Sequence, residues 1–161
     1  DGEFLLKSAF SKPDELFIGV EVYINGIAKV LDSIIKYNIK NIMLSNISSF
    51  YFLDALPCNA VDKLFIINPD PWNKKRHNKR RLMSEKTLIL LTKVIKSKNS
   101  IFLTTDSELY LRHTKKLLNN NKDLVREYQS CILQKNHELC GISRYQRKAI
   151  DKKGKIYLII F

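Results

Sequence analysis

Short runs of β-branched and aromatic residues recur along this chain with helical patterns between them, and that alternation limits the available folds more than any other feature. The runs are Phe17 to Val22, Ile42 to Ser45, Lys63 to Ile67, Ser100 to Thr104 and Ile156 to Phe161, and each reads as a strand. Between them, Phe4-Leu5-Ala9, Ile27-Val30-Leu31-Ile34-Ile35, Leu88-Leu91-Val94-Ile95 and Leu109-Leu111-Leu117-Leu118 repeat near 3.6 residues and read as amphipathic helices. Strands alternating with helices call for an α/β fold, a mainly parallel sheet with helices on both faces, because parallel neighbours need a crossover between them. Asn119 to Asn121 marks a helix end, and Asn136 to Ser143 a loop before a short basic helix from Arg144 to Lys153. Ligands of such sheets bind beyond the carboxyl ends of the strands. That directs attention to Glu21, Asn46 to Ser48, Asn68 to Trp72, and Thr105 with Asp106.

The remaining composition is that of an ordinary packed domain. Among 161 residues, 45% are hydrophobic, 27% are charged, and only five Gly and four Pro interrupt them; collagen-like, low-complexity and disordered classes are excluded. One domain over residues 1–161 is expected, as a monomer or homodimer. No apolar run reaches the roughly 20 residues of a membrane span, and Asp1-Gly2-Glu3 lacks the basic start of a signal peptide. A soluble, cytoplasmic chain is therefore expected. Cys58, Cys131 and Cys140 form no CxxC pair, so reduced thiols are expected rather than a disulfide framework. His137 lies between the last two, but three ligands at that spacing do not make a zinc site, and no metal is expected.

Charge is distributed unevenly. Residues 1–72 carry six Lys/Arg against nine acids, net −3, whereas residues 73–161 carry 22 against seven, net +15. The first part suits a small cofactor and the second a polyanion. Many lysines reflect a Lys-, Asn- and Ile-rich composition and are simply solvated. That does not account for Lys74, Lys75, Arg76, Lys79, Arg80 and Arg81, six cations within eight residues beside the only tryptophan, Trp72. Such a cluster fits contact with RNA or DNA phosphates.

Glu21 ends the second expected element in the place where a carboxylate commonly accepts from both ribose hydroxyls; an equally plain role is a solvated strand end. Asn68-Pro69-Asp70-Pro71-Trp72 is more specific. Its prolines fix φ and remove donors, giving a rigid turn that holds the Asp70 carboxylate and the Trp72 ring at the sheet's edge.

The run Pro69-Asp70-Pro71-Trp72-Asn73-Lys74-Lys75-Arg76-His77-Asn78-Lys79-Arg80-Arg81 resembles the signature of the bacterial tRNA (guanine-N7)-methyltransferase family, TrmB. Gly2-Glu3-Phe4-Leu5 resembles the end of that family's glycine-rich first motif. Ile18-Gly19-Val20-Glu21-Val22 is similar to its second strand, Thr105-Asp106 to its later acidic turn, and Ser143-Arg144-Tyr145-Gln146 to its Thr-Lys/Arg-Phe/Tyr-Glu motif. The resemblance covers essentially the whole chain. It implies a Rossmann-like class I methyltransferase that uses S-adenosylmethionine to methylate guanine N7 in the tRNA variable loop, conventionally position 46. It further implies that Glu21, Ser48 and Asp70 bind the cofactor and that Asp70 is the catalytic acid. Lys74, Arg76, Lys79, Arg80, Arg81, Asp106, Ser143, Arg144, Tyr145 and Gln146 would contact tRNA.

The chain departs from the family pattern at three places. The family's first strand and most of its glycine-rich loop fall before Gly2, so the domain is expected to be truncated at its amino-terminal end. Ser48 stands where the family has an Asp beside the adenine, and Gln146 replaces the Glu of the last motif. Two other readings follow: a tRNA-binding remnant with a decayed cofactor site, and a methyltransferase acting on exocyclic amines, in which Asn68 would accept from the amine. For N7 itself, the in-plane lone pair needs neither a base nor a metal. Positioning and charge stabilisation suffice, with Asp70 accepting from guanine N1 and N2 or balancing the alkylated ring, Asp106 as a second orienting acid, and Trp72 stacking on the base or packing the turn.

Overall fold

The β-branched runs pair as strands, in two sheets. The computed structural model describes residues 2–161, which divide into two compact units, Asp1–Ala55 and Leu56–Phe161. In the first unit, α1 (Glu3–Ser11), β1 (Phe17–Val20), α2 (Ile24–Lys36), β2 (Ile42–Ser45) and α3 (Ser49–Ala55) follow in order. β1 and β2 run parallel, with Phe17 opposite Ile42 and Val20 opposite Ser45. β1 stops short of the expected Val22 because Glu21 turns back on the chain: its Oε1 accepts the Tyr23 N–H at 2.9 Å, while its own N–H still donates to Ser45.

Two glycines allow the close packing of this unit. Gly2 caps α1 at φ 67°, and a Cβ there would collide with Val30 of α2; the position needs glycine on both counts. Gly19 leaves room on β1 for Leu5 of α1 and Leu44 of β2. The end of α1 is tied down by one side chain. Asn41, just before β2, directs Nδ2 at the carbonyls of Ala9, Lys12 and Glu15 at 3.0, 2.9 and 2.9 Å.

The second unit contains β3 (Leu64–Ile67), a 3-10 helix (Lys75–Arg80), α4 (Glu85–Val94), β4 (Ile101–Thr105), α5 (Glu108–Asn120), β5 (Gln129–Ile132), α6 (Arg144–Asp151) and β6 (Tyr157–Ile160). The sheet order is β3-β4-β6-β5. β3 and β4 are parallel, whereas β6 runs antiparallel to both β4 and β5. The core is mainly apolar: Leu88, Leu91 and Val94 of α4 meet water over 1% of their surface or less, as do Leu103, Leu118 and Ile159, with Thr104, Thr105, Thr114 and Gln146 buried among them. Serines start the helices. Ser84, Ser107 and Ser143 each accept an N–H three residues on, from Thr87, Tyr110 and Gln146, a cap contributing about 1 kcal/mol. Asn121 closes α5, as the asparagine run predicts. β5, α3 and the 3-10 helix have no counterpart among the sequence-based expectations.

If Asn41 anchors α1, Asn41→Ala removes the two amide hydrogens that these carbonyls share, leaving, among the described residues, only the Lys12 carbonyl with another donor, the Glu15 N–H, and should lower stability by about 1 to 3 kcal/mol. Denaturant midpoints check this, and hydrogen exchange should show the loss of protection concentrated in Glu3–Ser11.

Candidate active site

The chain leaves β3 through two strained residues. Asn68 has φ 46° and Trp72 has φ 43°, left-handed values that Asn tolerates and a bulky aromatic does not. Holding Trp72 there costs on the order of 1 to 3 kcal/mol. The basic segment supplies the restraint. Arg81 reaches back under the loop, donating from Nε to the Pro71 carbonyl at 2.9 Å and from Nη2 to the Trp72 carbonyl at 3.3 Å. The Arg80 guanidinium sits 5.1 Å over the indole, and the His77 ring stands nearly perpendicular to it with the ring centres 5.7 Å apart. One face of the Trp72 ring is thus engaged within the protein.

The 3-10 geometry sorts the remaining cations. Side chains three apart eclipse one another in such a helix. His77 and Arg80 form the ridge that touches Trp72, which places Arg76 and Lys79 on the neighbouring ridge. Both are exposed, as are Lys74 and Lys75. Asp70, exposed in the turn, lies near enough to Tyr110 for its charge to be felt at the Tyr110 hydroxyl.

Behind the turn is a closed polar cluster. Asn68 continues the β3–β4 ladder by donating its N–H to the Thr104 carbonyl at 3.0 Å. Its Oδ1 accepts from Thr104 Oγ1 at 3.1 Å and from Gln146 Nε2 at 2.9 Å. Gln146 Nε2 donates also to Thr104 Oγ1 at 3.2 Å, and Gln146 Oε1 accepts the Ile142 N–H at 3.2 Å. Asn68 Nδ2 donates to Asp106 Oδ1 at 3.2 Å. Gln146 and Thr104 have no exposed surface, whereas Asp106 is exposed. Both lone pairs of Asn68 Oδ1 are engaged within the protein, so in this arrangement that oxygen offers no free acceptor to an exocyclic amine.

α5 is clamped to the segment just before α4 through backbone groups rather than charge. The Tyr110 hydroxyl accepts the Met83 N–H at 3.1 Å, and His113 Nε2 lies 2.7 Å from the Met83 carbonyl. Burial pushes the Tyr110 hydroxyl up to about 12, with Asp70 adding to the rise and the Met83 N–H and Arg81 opposing it.

The other expected residues fall as follows. Ser143 caps α6 and Gln146 is inside, while Arg144 and Tyr145 are exposed at the start of that helix. In the first unit, Glu21 stands exposed just past β1 with one carboxylate oxygen on Tyr23 and the other open to solvent. Ser48 is half-buried after β2, its carbonyl accepting from Phe52. An open carboxylate oxygen matches the two donors of a ribose diol, and a serine hydroxyl can donate to or accept from a purine, so these side chains fit an adenosine-containing cofactor. Among the described residues, no group of three or more His, Cys, Asp or Glu could hold a metal ion, and no helix is long and apolar enough to cross a membrane. Thr104 and Tyr110 have no place among the sequence-based site residues. The adjacent hydroxyls Thr104-Thr105 in an otherwise apolar strand are the signal that could have found the first; Tyr110 reads as one more apolar helix position.

A protein-family profile described as putative methyltransferase matches residues 1–159. A tRNA (guanine-N(7)-)-methyltransferase of Wolbachia pipientis is 32% identical over 156 residues, covering 97% of this chain and 68% of that protein. A bifunctional methyltransferase of Rickettsia prowazekii is 35% identical over 150 residues, covering 93% of this chain and 29% of that protein. The chain spans 22% of the length of the Rickettsia bellii relative and 29% of that of Rickettsia typhi. Among solved structures, an antibiotic-related methyltransferase superposes with a TM-score of 0.65 at 14% identity, covering 99% of this chain and 81% of that one. A 16S rRNA (adenine(1408)-N(1))-methyltransferase from Catenulisporales acidiphilia gives 0.64 at 12% identity, with 99% and 79% covered. The fold is that of a Rossmann-like class I methyltransferase.

Tyr110→Phe tests the clamp. At neutral pH the orphaned Met83 N–H should cost about 1 to 3 kcal/mol. The unfolded chain loses the phenolic proton near pH 10 and the folded chain only near 12, so the Tyr110 contribution is complete below pH 10 and declines by about 1.4 kcal/mol per unit above it. Urea midpoints of the two proteins should therefore converge between pH 10 and 11.5. A constant gap would mean that Tyr110 titrates alike in both states.

Proposed function

Because the chain belongs to the putative methyltransferase family that includes the tRNA (guanine-N7)-methyltransferases, we propose that the protein transfers a methyl group from S-adenosylmethionine to guanine N7 in tRNA, at position 46 of the variable loop. The observation that carries this reading is the Asn68 to Arg81 segment. It holds an acid on a strained turn next to a ridge of exposed cations, one group suited to a purine that becomes cationic and the other to the phosphates beside it.

The bound cofactor supplies an electrophilic methyl group on a sulfonium. Guanine N7 attacks with a lone pair that carries no proton, so the protein's work is to position and to stabilise charge. Glu21 would accept from the cofactor's ribose hydroxyls and Ser48 would lie on the adenine side. Asp70 balances the positive charge that appears on the methylated ring. Asp106 orients the base. Lys74, Arg76 and Lys79 hold RNA phosphates, with Arg144 and Tyr145 contributing from the start of α6. Arg80 and Arg81 act mainly by fixing the turn. Residues 1–72 form the cofactor side and residues 73–161 the RNA side, consistent with their opposite net charges. A protein that modifies tRNA belongs with its substrate in the cytoplasm.

Two measurements on the intact protein test this. Asp70→Asn should keep the fold and most tRNA affinity while single-turnover methyl transfer falls about 100- to 1000-fold, the usual effect of removing one preorganised electrostatic partner. Undiminished transfer would remove Asp70 from the mechanism. Replacing Arg76 and Lys79 together with Ala should flatten the slope of log K against log salt for tRNA binding by about 1.4 to 1.8, with similar losses for unrelated RNAs. An unchanged slope would show that this ridge does not meet phosphates.

A further inference from the structure

The polar cluster behind the turn has only one possible direction of hydrogen bonding. At its inner end the Ile142 backbone N–H can only donate, so the Gln146 atom it meets is the oxygen, and Nε2 faces Asn68 and Thr104. An amide nitrogen can only donate, so Asn68 presents Oδ1 to it and turns Nδ2 outward. At the outer end the Asp106 carboxylate can only accept, and it receives that Nδ2. Both hydrogens of Gln146 Nε2 and both lone pairs of Asn68 Oδ1 are used. A fixed backbone donor in the interior therefore determines which group is offered to an exposed carboxylate at the surface.

We infer that Gln146 and Asn68 form a relay of fixed polarity, Ile142 to Gln146 to Asn68 to Asp106, that orients the Asp106 carboxylate to accept from the N1–H and N2–H edge of the target guanine. Both are positioning residues, and Asp106 is the group that touches the base. A base with an acceptor at N1 would meet the carboxylate's lone pairs and be repelled, so the relay selects for guanine as well as holding it. A glutamate at position 146 could not serve this relay when ionised. It would accept where Gln146 donates, turn the Asn68 amide round and set Asn68 Oδ1 against Asp106. The glutamine is thus matched to Asn68 and Asp106, not an interchangeable variant of an acid. This inference rests on the methyl transfer proposed above.

The test uses two substrates and two variants of the intact protein. Inosine keeps N7 and lacks the N2 amino group, so a tRNA transcript with inosine at the target position loses one donor to Asp106. Unmodified protein should prefer guanine about 10- to 100-fold in kcat/KM, the range for one hydrogen bond to a charged group. In Gln146→Glu that preference should shrink to less than about threefold at pH 8. It should recover towards pH 6, where the introduced carboxyl, once protonated, donates as the amide did. A parallel loss on both substrates with the preference intact at every pH would mean that Gln146 is only packing, and would overturn the inference. A second measurement needs no methyl transfer. Adding Asp106→Asn to Gln146→Glu lets the whole relay run in reverse, so urea denaturation should show the double variant more stable than the single. Additive destabilisation would refute the relay. If the unmodified protein methylates neither transcript while the double variant is rescued, the relay stands and the reading of the activity fails.

Discussion

A buried primary amide governs the architecture of the second unit. Gln146 has no surface exposure, and an amide in that position stays only if its groups are bonded, since each one left unmatched costs about 1 to 3 kcal/mol. Its partners come from three different places: the exit of β3 through Asn68, the body of β4 through Thr104, and the loop before α6 through Ile142. No one of these segments can shift without stranding a donor or acceptor on another. The position of α6 is in turn set by Ser143, whose hydroxyl accepts the Gln146 N–H, so the cap that begins the helix also seats the side chain that locks it.

On that base the protein supports a turn that would not hold by itself. Trp72 lies in a backbone region unfavourable to aromatics, and the residues that restrain it come from the run of cations after it. Arg81 fixes two successive carbonyls and Arg80 covers the ring. Tyr110 and His113 hold the backbone of Met83, two residues beyond Arg81. The segment is thus divided by function: part of its charge builds the turn, and part remains in water. This division explains why an acid can be presented in a rigid turn beside so many positive groups without being neutralised by a direct ion pair to Lys74, Arg76 or Lys79 among the described contacts.

Much of this was legible in the chain, and what was not has physical reasons. β2 coincides with the expected run, and four other expected runs fall within two residues of β1, β3, β4 and β6, because β-branched clusters bounded by polar residues carry their own signal. β5 does not. Gln129-Ser130-Cys131-Ile132 is exposed along its length, and the strand exists because β6 offers it backbone partners. The antiparallel direction of β6 was likewise invisible in the apolar pattern, which is the same for either direction. In the site, Asn68 to Trp72 and the cations stood out by composition. Their division into structural and exposed groups depends on the eclipsing of a 3-10 helix that no propensity marked. Gln146 was legible as part of a motif, but its bond to Asn68 joins residues 78 positions apart, a pairing that only the fold brings about.

The central claim is that the acid on the strained turn and the exposed cation ridge serve alkylation of a guanine at N7. The most direct measurement is to supply methyl-labelled S-adenosylmethionine and unmodified tRNA to the intact protein and locate the product by reduction and strand scission, which cleaves only at N7-methylated guanine. The account predicts label in tRNA with a single cleavage within the variable loop. Label resistant to scission, which would place the methyl group on an exocyclic amine or a ribose, would contradict it.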